Sequence, residues 1–201
     1  MKVLFLTNND NTTPLSQWLQ DSAGEAVPRF GAPLPLSLAS KLRPDFIISY
    51  NYRHILGPDV VEAYRHRIVN LHISLLPWNR GTHQNLWAWL DGTPHGVTIH
   101  EIDEGLDTGP ILLQRALHLD PAEETLASSY RKLHECVQEL FQTHWHQIRS
   151  RELPGCPQFG PGTTHTSNDL RRVEAVIPGF SWDVSVAELL NAWRKCKHSN
   201  R

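Results

Sequence analysis

The sequence contains no apolar run near the roughly 18 residues that a membrane-spanning helix requires, so no span is expected. The opening run from Val3 to Leu6 is too short for a signal-peptide core, and Asn8-Asn9-Asp10-Asn11 ends it at once. Cysteine is sparse. Cys136, Cys156 and Cys196 show no CxxC spacing, which excludes a disulfide framework or a cysteine zinc site and points to reduced thiols in the cytoplasm. Charge of one sign is missing too: 19 Lys and Arg against 21 Asp and Glu leave −2. Such a balance offers phosphate backbones no broad attraction, so general nucleic-acid binding is not expected. No G-x-S-x-G elbow, phosphate loop or G-x-G-x-x-G appears, which weakens serine-hydrolase, nucleotidase and dinucleotide-enzyme readings. Internal repeats and low-complexity tracts are likewise lacking. What is present is ordinary globular composition, 40% apolar and 20% charged, with a generous 12 His and 7 Trp in 201 residues.

Short β-rich runs recur at Val3–Leu6, Phe46–Tyr50 and Ile68–His72. Helical stretches are predicted between them at Pro14–Gln20, Ser37–Leu42 and Pro58–Arg67, the last with proline in its first turn. Strands alternating with helices predict a parallel, doubly wound α/β sheet, whose sites lie at the carboxyl ends of the strands. Two further strand-like runs, Val97–His100 and Ile111–Gln114, flank a loop rich in acid and glycine. Asp120, Pro121 and Glu123 resemble a capping box and predict the start of a long helix. Its inner face carries Leu126, Tyr130, Leu133, Val137, Leu140, Phe141 and Ile148, and its His134, His144 and His146 read as surface residues. From Arg151 to Asp169 the chain reads as a surface loop, followed by a short terminal helix within residues 181–197. The expected division is therefore a domain over residues 1–150 and an extension over 151–201.

The densest chemistry lies between Asn70 and Gln114. A period of two puts Asn70, His72 and Ser74 on one face of a strand end and Leu71 and Ile73 on the other. An amide, an imidazole and a hydroxyl in a row are costly unless hydrogen-bonded, so either a structural polar network or a catalytic group explains them. Asp103, Glu104 and Asp107 crowd around Gly105 and Gly109. The calcium-loop pattern is missing, and His95 and His100 lack a convincing zinc spacing, so no metal is expected. Asp107, flanked by glycine and apolar residues, suits a carboxylate tuned for proton transfer.

These residues carry a resemblance. Asn70-Leu71-His72-Ile73-Ser74-Leu75-Leu76-Pro77, followed by Gly105-Leu106-Asp107-Thr108-Gly109-Pro110-Ile111, is similar to the paired motifs of formyltransferases that use 10-formyltetrahydrofolate. Gly96 to His100 matches as well, and the resemblance covers about residues 1–150. It implies a Rossmann-like, doubly wound, mostly parallel sheet with helices on both faces. It further implies that Asn70, His72 and Asp107 form the catalytic group. The pterin of the folate is implied to sit against the segment containing His54 and Leu56 and against Ile102, Asp103 and Gly105, largely through backbone contacts.

Within that family the acceptor is expected to be a small amine. Members acting on methionyl-tRNA carry a C-terminal barrel of about a hundred residues and a basic surface, and the formyl-folate hydrolase relative carries an extra N-terminal domain; neither pattern is matched. Glycinamide ribonucleotide transferases have a Gly-rich turn where this chain has Asn8-Asn9-Asp10-Asn11-Thr12-Thr13. Sugar N-formyltransferases resemble it more, through Trp78-Asn79-Arg80-Gly81, Thr93 to His100, and Gly162 to His165 with Asp169. The resemblance thus points to a nucleotide-linked amino sugar, with Asn8, Asn9, Trp78 and Arg80 as substrate-binding candidates. Trp78 and Trp87 offer stacking faces, and Arg80 offers a partner for a diphosphate. A glycinamide ribonucleotide-type transferase and a folate-binding module without activity are the alternatives, with a metal-dependent deacylase behind them. The same reading allows a homodimer.

Overall fold

The computed structural model describes residues 1–177 and 179–199. Its elements run β1 Val3–Leu6, α1 Thr13–Asp21, β2 Arg29–Phe30, α2 Leu36–Leu42, β3 Phe46–Tyr50, α3 Pro58–Ala63 and β4 Ile68–His72. They continue with β5 Arg80–Gly81, α4 Gln84–Asp91, β6 Gly96–Glu101, β7 Ile111–Ala116, α5 Leu126–Ser150, β8 Thr164–His165, α6 Ser167–Val176 and α7 Val186–Ser199. Among the described residues, a six-stranded mixed sheet has the order β2-β1-β3-β4-β6-β7. Its first four strands are parallel, and β4 meets β6 antiparallel, with Asn70 opposite His100 and His72 opposite Thr98. This is the α/β sheet that the alternating pattern predicts. No helix among the described residues is long and apolar enough to cross a membrane.

The chain forms two compact units that do not follow a division at residue 150. The first comprises 1–72, 98–113 and 138–158; the second comprises 73–97, 114–137 and 159–201. In the first, β1 and β3 are buried on both faces, as continuous apolar runs in a parallel sheet must be. Leu4, Leu6, Ile47, Val60, Tyr64 and Ile68 form one core cluster, and Trp145 of α5 meets Phe46 edge to face. The second unit packs α4, α6, α7 and the start of α5 around Leu86, Trp87, Leu126, Val173, Val186 and Leu189.

Several local expectations shift. The long helix starts at Leu126 and not at Pro121. Asp120 instead closes a turn by accepting from the Ala122 amide, and the working cap is Thr125 with Ser128, whose side chains each accept from the other's backbone N–H. Helix α3 stops at Ala63, short of Arg67. His134 is buried, at 4% exposure, and is no surface residue. Residues 151–169 are irregular only as far as Thr163, where β8 and then α6 begin.

Candidate active site

Strand β4 carries the site because its alternation turns Asn70 and His72 to one side while Val69 and Leu71 enter the core. Opposite Asn70, the register of β6 delivers His100. The loop after β6 then returns Asp107 to the same place: Asn70 Nδ2 lies 3.3 Å from Asp107 Oδ1. His72 Nδ1 lies 3.6 Å from Oδ2 and His100 Nε2 3.6 Å from Oδ1. Asn70, His72 and Asp107 are therefore brought together, in the first unit. Ser74, the third polar residue of the run, belongs to the second unit, where its hydroxyl donates to the carbonyl of Trp78 and turns the chain.

Hydrogen bonds fix the ring of His100. Its Nδ1 lies 2.7 Å from the carbonyl oxygen of Glu101, so that nitrogen carries the proton. Nε2 is left to accept from Asn70 Nδ2 at 3.2 Å. His100 thus aims the Asn70 amide, a role that sequence reasoning missed. The signal was present as a polar residue on a strand-like run, and reading it required the β4–β6 pairing.

The loop is held by its backbone. Asp107 adopts a left-handed φ of 53°, a conformation that Asp and Asn tolerate better than most residues. Gln158, another residue not foreseen, donates to the carbonyls of Asp107 and Gly109 at 2.8 and 2.9 Å. A Cβ on Gly109 would lie 1.9 Å from the Glu101 carbonyl oxygen, so only glycine permits this approach. Asp103 Oδ1 accepts from the Gly105 N–H and the Thr108 hydroxyl, which shapes the turn before Asp107.

Chemically, the group combines an amide donor, two imidazoles and a carboxylate in a nearly water-free place: the His72 side chain is 3% exposed and that of Asp107 14%. It can stabilise a developing oxyanion and move a proton. His72, His100 and Asp107 also offer ligand atoms within 4.8 Å of one another, which a divalent ion would fit. The Asn70 amide, however, donates to two of those same atoms, His100 Nε2 and Asp107 Oδ1.

The remaining candidates are placed as follows. His54 Nε2 lies 3.1 Å from the Gly31 carbonyl oxygen. The Leu56 side chain is buried in the core cluster, and Ile102 packs against that cluster. Asn8 spans three loops, donating to the Gly31 carbonyl and accepting from the Arg53 N–H, while Asn9 accepts from the Asn11 N–H at the start of a short 3-10 turn. These two side chains are used in holding the turn after β1. Trp78 and Arg80 lie in the second unit, in a loop tied down by Thr163, whose carbonyl accepts from the Arg80 N–H. Trp87 stacks on His165 at 4.0 Å and is 5% exposed, so its ring is a packing element.

The chain is similar to known proteins of one family. Residues 36–144 match the family model described as Formyl transferase. Methionyl-tRNA formyltransferase of Anaeromyxobacter dehalogenans is 48% identical over 97 residues, covering 45% of this chain and 31% of that protein. The same enzyme of Thermodesulfovibrio yellowstonii is 34% identical over 154 residues, 76% of this chain and 48% of that one. The chain thus spans 31% to 48% of the length of these curated relatives. A solved structure of the formyltransferase PseJ from Anoxybacillus kamchatkensis, in complex with UDP-4,6-dideoxy-4-formamido-L-AltNAc and tetrahydrofolate, superposes with a TM-score of 0.87 at 37% identity. That match covers 96% of this chain and 100% of the other.

Proposed function

Because this chain belongs to the formyl transferase family, we propose that it transfers a formyl group from 10-formyltetrahydrofolate to the primary amine of a sugar linked to a uridine nucleotide. The observation that carries the proposal is the convergence of Asn70, His72 and Asp107 on one point. The folate co-substrate supplies the formyl carbon. As the amine adds, the formyl oxygen gains negative charge; the Asn70 amide, keeping its bond to His100 and turning the N–H now on Asp107 to that oxygen, and the His72 imidazole donate hydrogen bonds to it. Each such donor is typically worth roughly 3–4 kcal/mol. The amine gains positive charge in the same step; Asp107 accepts its proton and passes it to Nδ1 of His72, whose other ring nitrogen gives its proton to the folate nitrogen as the bond from that nitrogen to the formyl carbon breaks. His100 keeps the Asn70 amide in register throughout. We assign the pterin to the backbone of the segment from His54 to Leu56 and of the loop containing Ile102, Asp103 and Gly105.

The acceptor reading is supported by likeness to PseJ over the whole of that chain, with a formylated UDP-sugar in its complex. Methionyl-tRNA is the second reading, favoured by 48% identity to a curated enzyme of that name. A formal charge of −2 gives little of the electrostatic attraction that tRNA would call for. The test is a competition: with 10-formyltetrahydrofolate, a UDP-linked 4-amino-4,6-dideoxysugar should exceed methionyl-tRNA and glycinamide ribonucleotide by at least roughly tenfold in kcat/KM, about 1.4 kcal/mol. The reverse ranking refutes the sugar reading. Absence of any melting-temperature rise with millimolar 5-formyltetrahydrofolate would remove the folate donor itself.

A further inference from the structure

We propose that the large cavity of the second unit seats the base of the nucleotide, with an N–H of the uracil donating to Asn85. This inference rests on the UDP-sugar reading above and deepens it. The cavity measures about 380 Å³ and is lined by His83, Asn85, Leu86, Leu126, Tyr130 and Trp182 among others. That volume is within the roughly 300–1,000 Å³ of small-molecule sites.

Three features of the wall match a planar heterocycle with a polar edge. The first is an unpaired acceptor. Asn85 is 3% exposed; its Nδ2 donates to the Leu126 carbonyl at 2.9 Å, which fixes the amide orientation, and its Oδ1 has no hydrogen-bond partner. Leaving such an oxygen buried and unpaired is unfavourable, and a ligand N–H relieves it. The second is a stacking surface. Trp182 lies nearly parallel to His83, 5.6 Å between centroids and 22° between planes, yet remains 45% exposed. An indole left this open offers a face on which a base can stack. The third is the first turn of α4, residues Gln84 to Leu86, which lines the same cavity. Its N-cap, His83, is left-handed and provides no side-chain hydrogen bond to the turn. Free N–H groups at a helix start favour carbonyl oxygens and anions. An acceptor beside a donor end is the complement of an imide edge, which uracil presents as N3–H flanked by two carbonyls. Burial lowers the pKa of His83, which keeps the imidazole under Trp182 neutral near pH 7.

The test is calorimetric titration of the whole chain with UDP, with N3-methyl-UDP, and with UDP against Trp182→Ala. Wild type should bind UDP, and both the N-methyl probe and the variant should bind at least roughly tenfold more weakly, the scale of one stacked base or one hydrogen bond to a buried group. Trp182→Ala should keep its melting-temperature rise with 5-formyltetrahydrofolate, which shows that it is folded, and Trp182→Phe should recover part of the affinity. No binding of UDP, or unchanged affinity for either the N-methyl probe or Trp182→Ala, overturns the assignment. The two readings fail separately. If no UDP-sugar is formylated yet UDP binds with both discriminations, the base site stands and the acceptor reading falls. If a UDP-sugar is formylated with KM unchanged in Trp182→Ala, the acceptor reading stands and the base site falls.

Discussion

Replacing Asp107 by Asn separates chemistry from folding at this site. The exchange keeps the size of the side chain and a residue type that tolerates a φ of 53°. It also keeps the two backbone hydrogen bonds from Gln158 to the carbonyls of Asp107 and Gly109. The new amide oxygen can still accept from Asn70 Nδ2, now 3.3 Å away. What is lost is the carboxylate charge 3.6 Å from His72 Nδ1 and the basicity that takes up the amine proton. Removing one proton-transfer group from a mostly buried site costs on the order of a hundredfold or more in kcat, about 2.7 kcal/mol of transition-state stabilisation. The melting temperature should stay within about 3 °C of wild type, since less than about 1 kcal/mol of folding energy is altered. The assay is release of tetrahydrofolate at saturating acceptor, run beside thermal unfolding of the same samples. A folded Asp107→Asn protein that keeps more than a tenth of wild-type kcat would refute the proton-transfer role. A large loss of stability alongside the loss of rate would make Asp107 a structural residue instead.

Asn70→Ala and His72→Ala should each lower kcat roughly a hundredfold, and the double variant should be scarcely slower than the worse single one, because both act on one transition state; multiplicative losses would contradict that. Gly109→Ala forces a Cβ to within 1.9 Å of the Glu101 carbonyl, so Asp107 must move; activity near wild type would show that the loop has more room than its geometry implies. Dialysis against a chelator should leave activity unchanged, whereas loss restored by a divalent ion would turn His72, His100 and Asp107 into a metal centre. Burial holds His95 and His134 down to about 4 against an ordinary 6.5. The unfolded chain therefore binds protons that the folded chain refuses, and stability, full above pH 6.5, falls as pH drops toward 4. Urea unfolding at pH 7.5 and 5.5 should show a loss on the order of 1 kcal/mol per histidine, and His134→Gln should flatten that slope whatever it does to the stability itself.

How much of this was legible depends on the range of each interaction. Strands β1 and β3 are readable to the residue because burial on both faces leaves a nearly continuous apolar run, and β4 because Ile68, Val69 and Leu71 keep most of one. Asn70 and His72 were readable because they interrupt such a run at a period of two. His134 is readable from its spacing, although a polar residue on a helix reads as exposed: it falls four residues after Tyr130 and three before Val137, on the inward face of α5, and the Tyr130 ring packs on it at 4.2 Å. The start of α5 was not readable locally. Asp120-Pro121 and Thr125-Ser128 are both acceptable starts; the choice of the second goes with a distant segment, since the Leu126 N–H donates to the Val184 carbonyl and the Val186 N–H to Glu124. Nor was the role of Asn8, whose amide is taken up by Gly31 and Arg53, more than twenty residues away in each case. His100 sits at the limit of what a sequence shows. Its strand meets β4 only after the chain has passed through β5 and α4, and a slip of one residue in that antiparallel pairing would turn the imidazole to the opposite face. The residue that aims Asn70 is therefore specified by register, a property of two strands together and of neither sequence run alone.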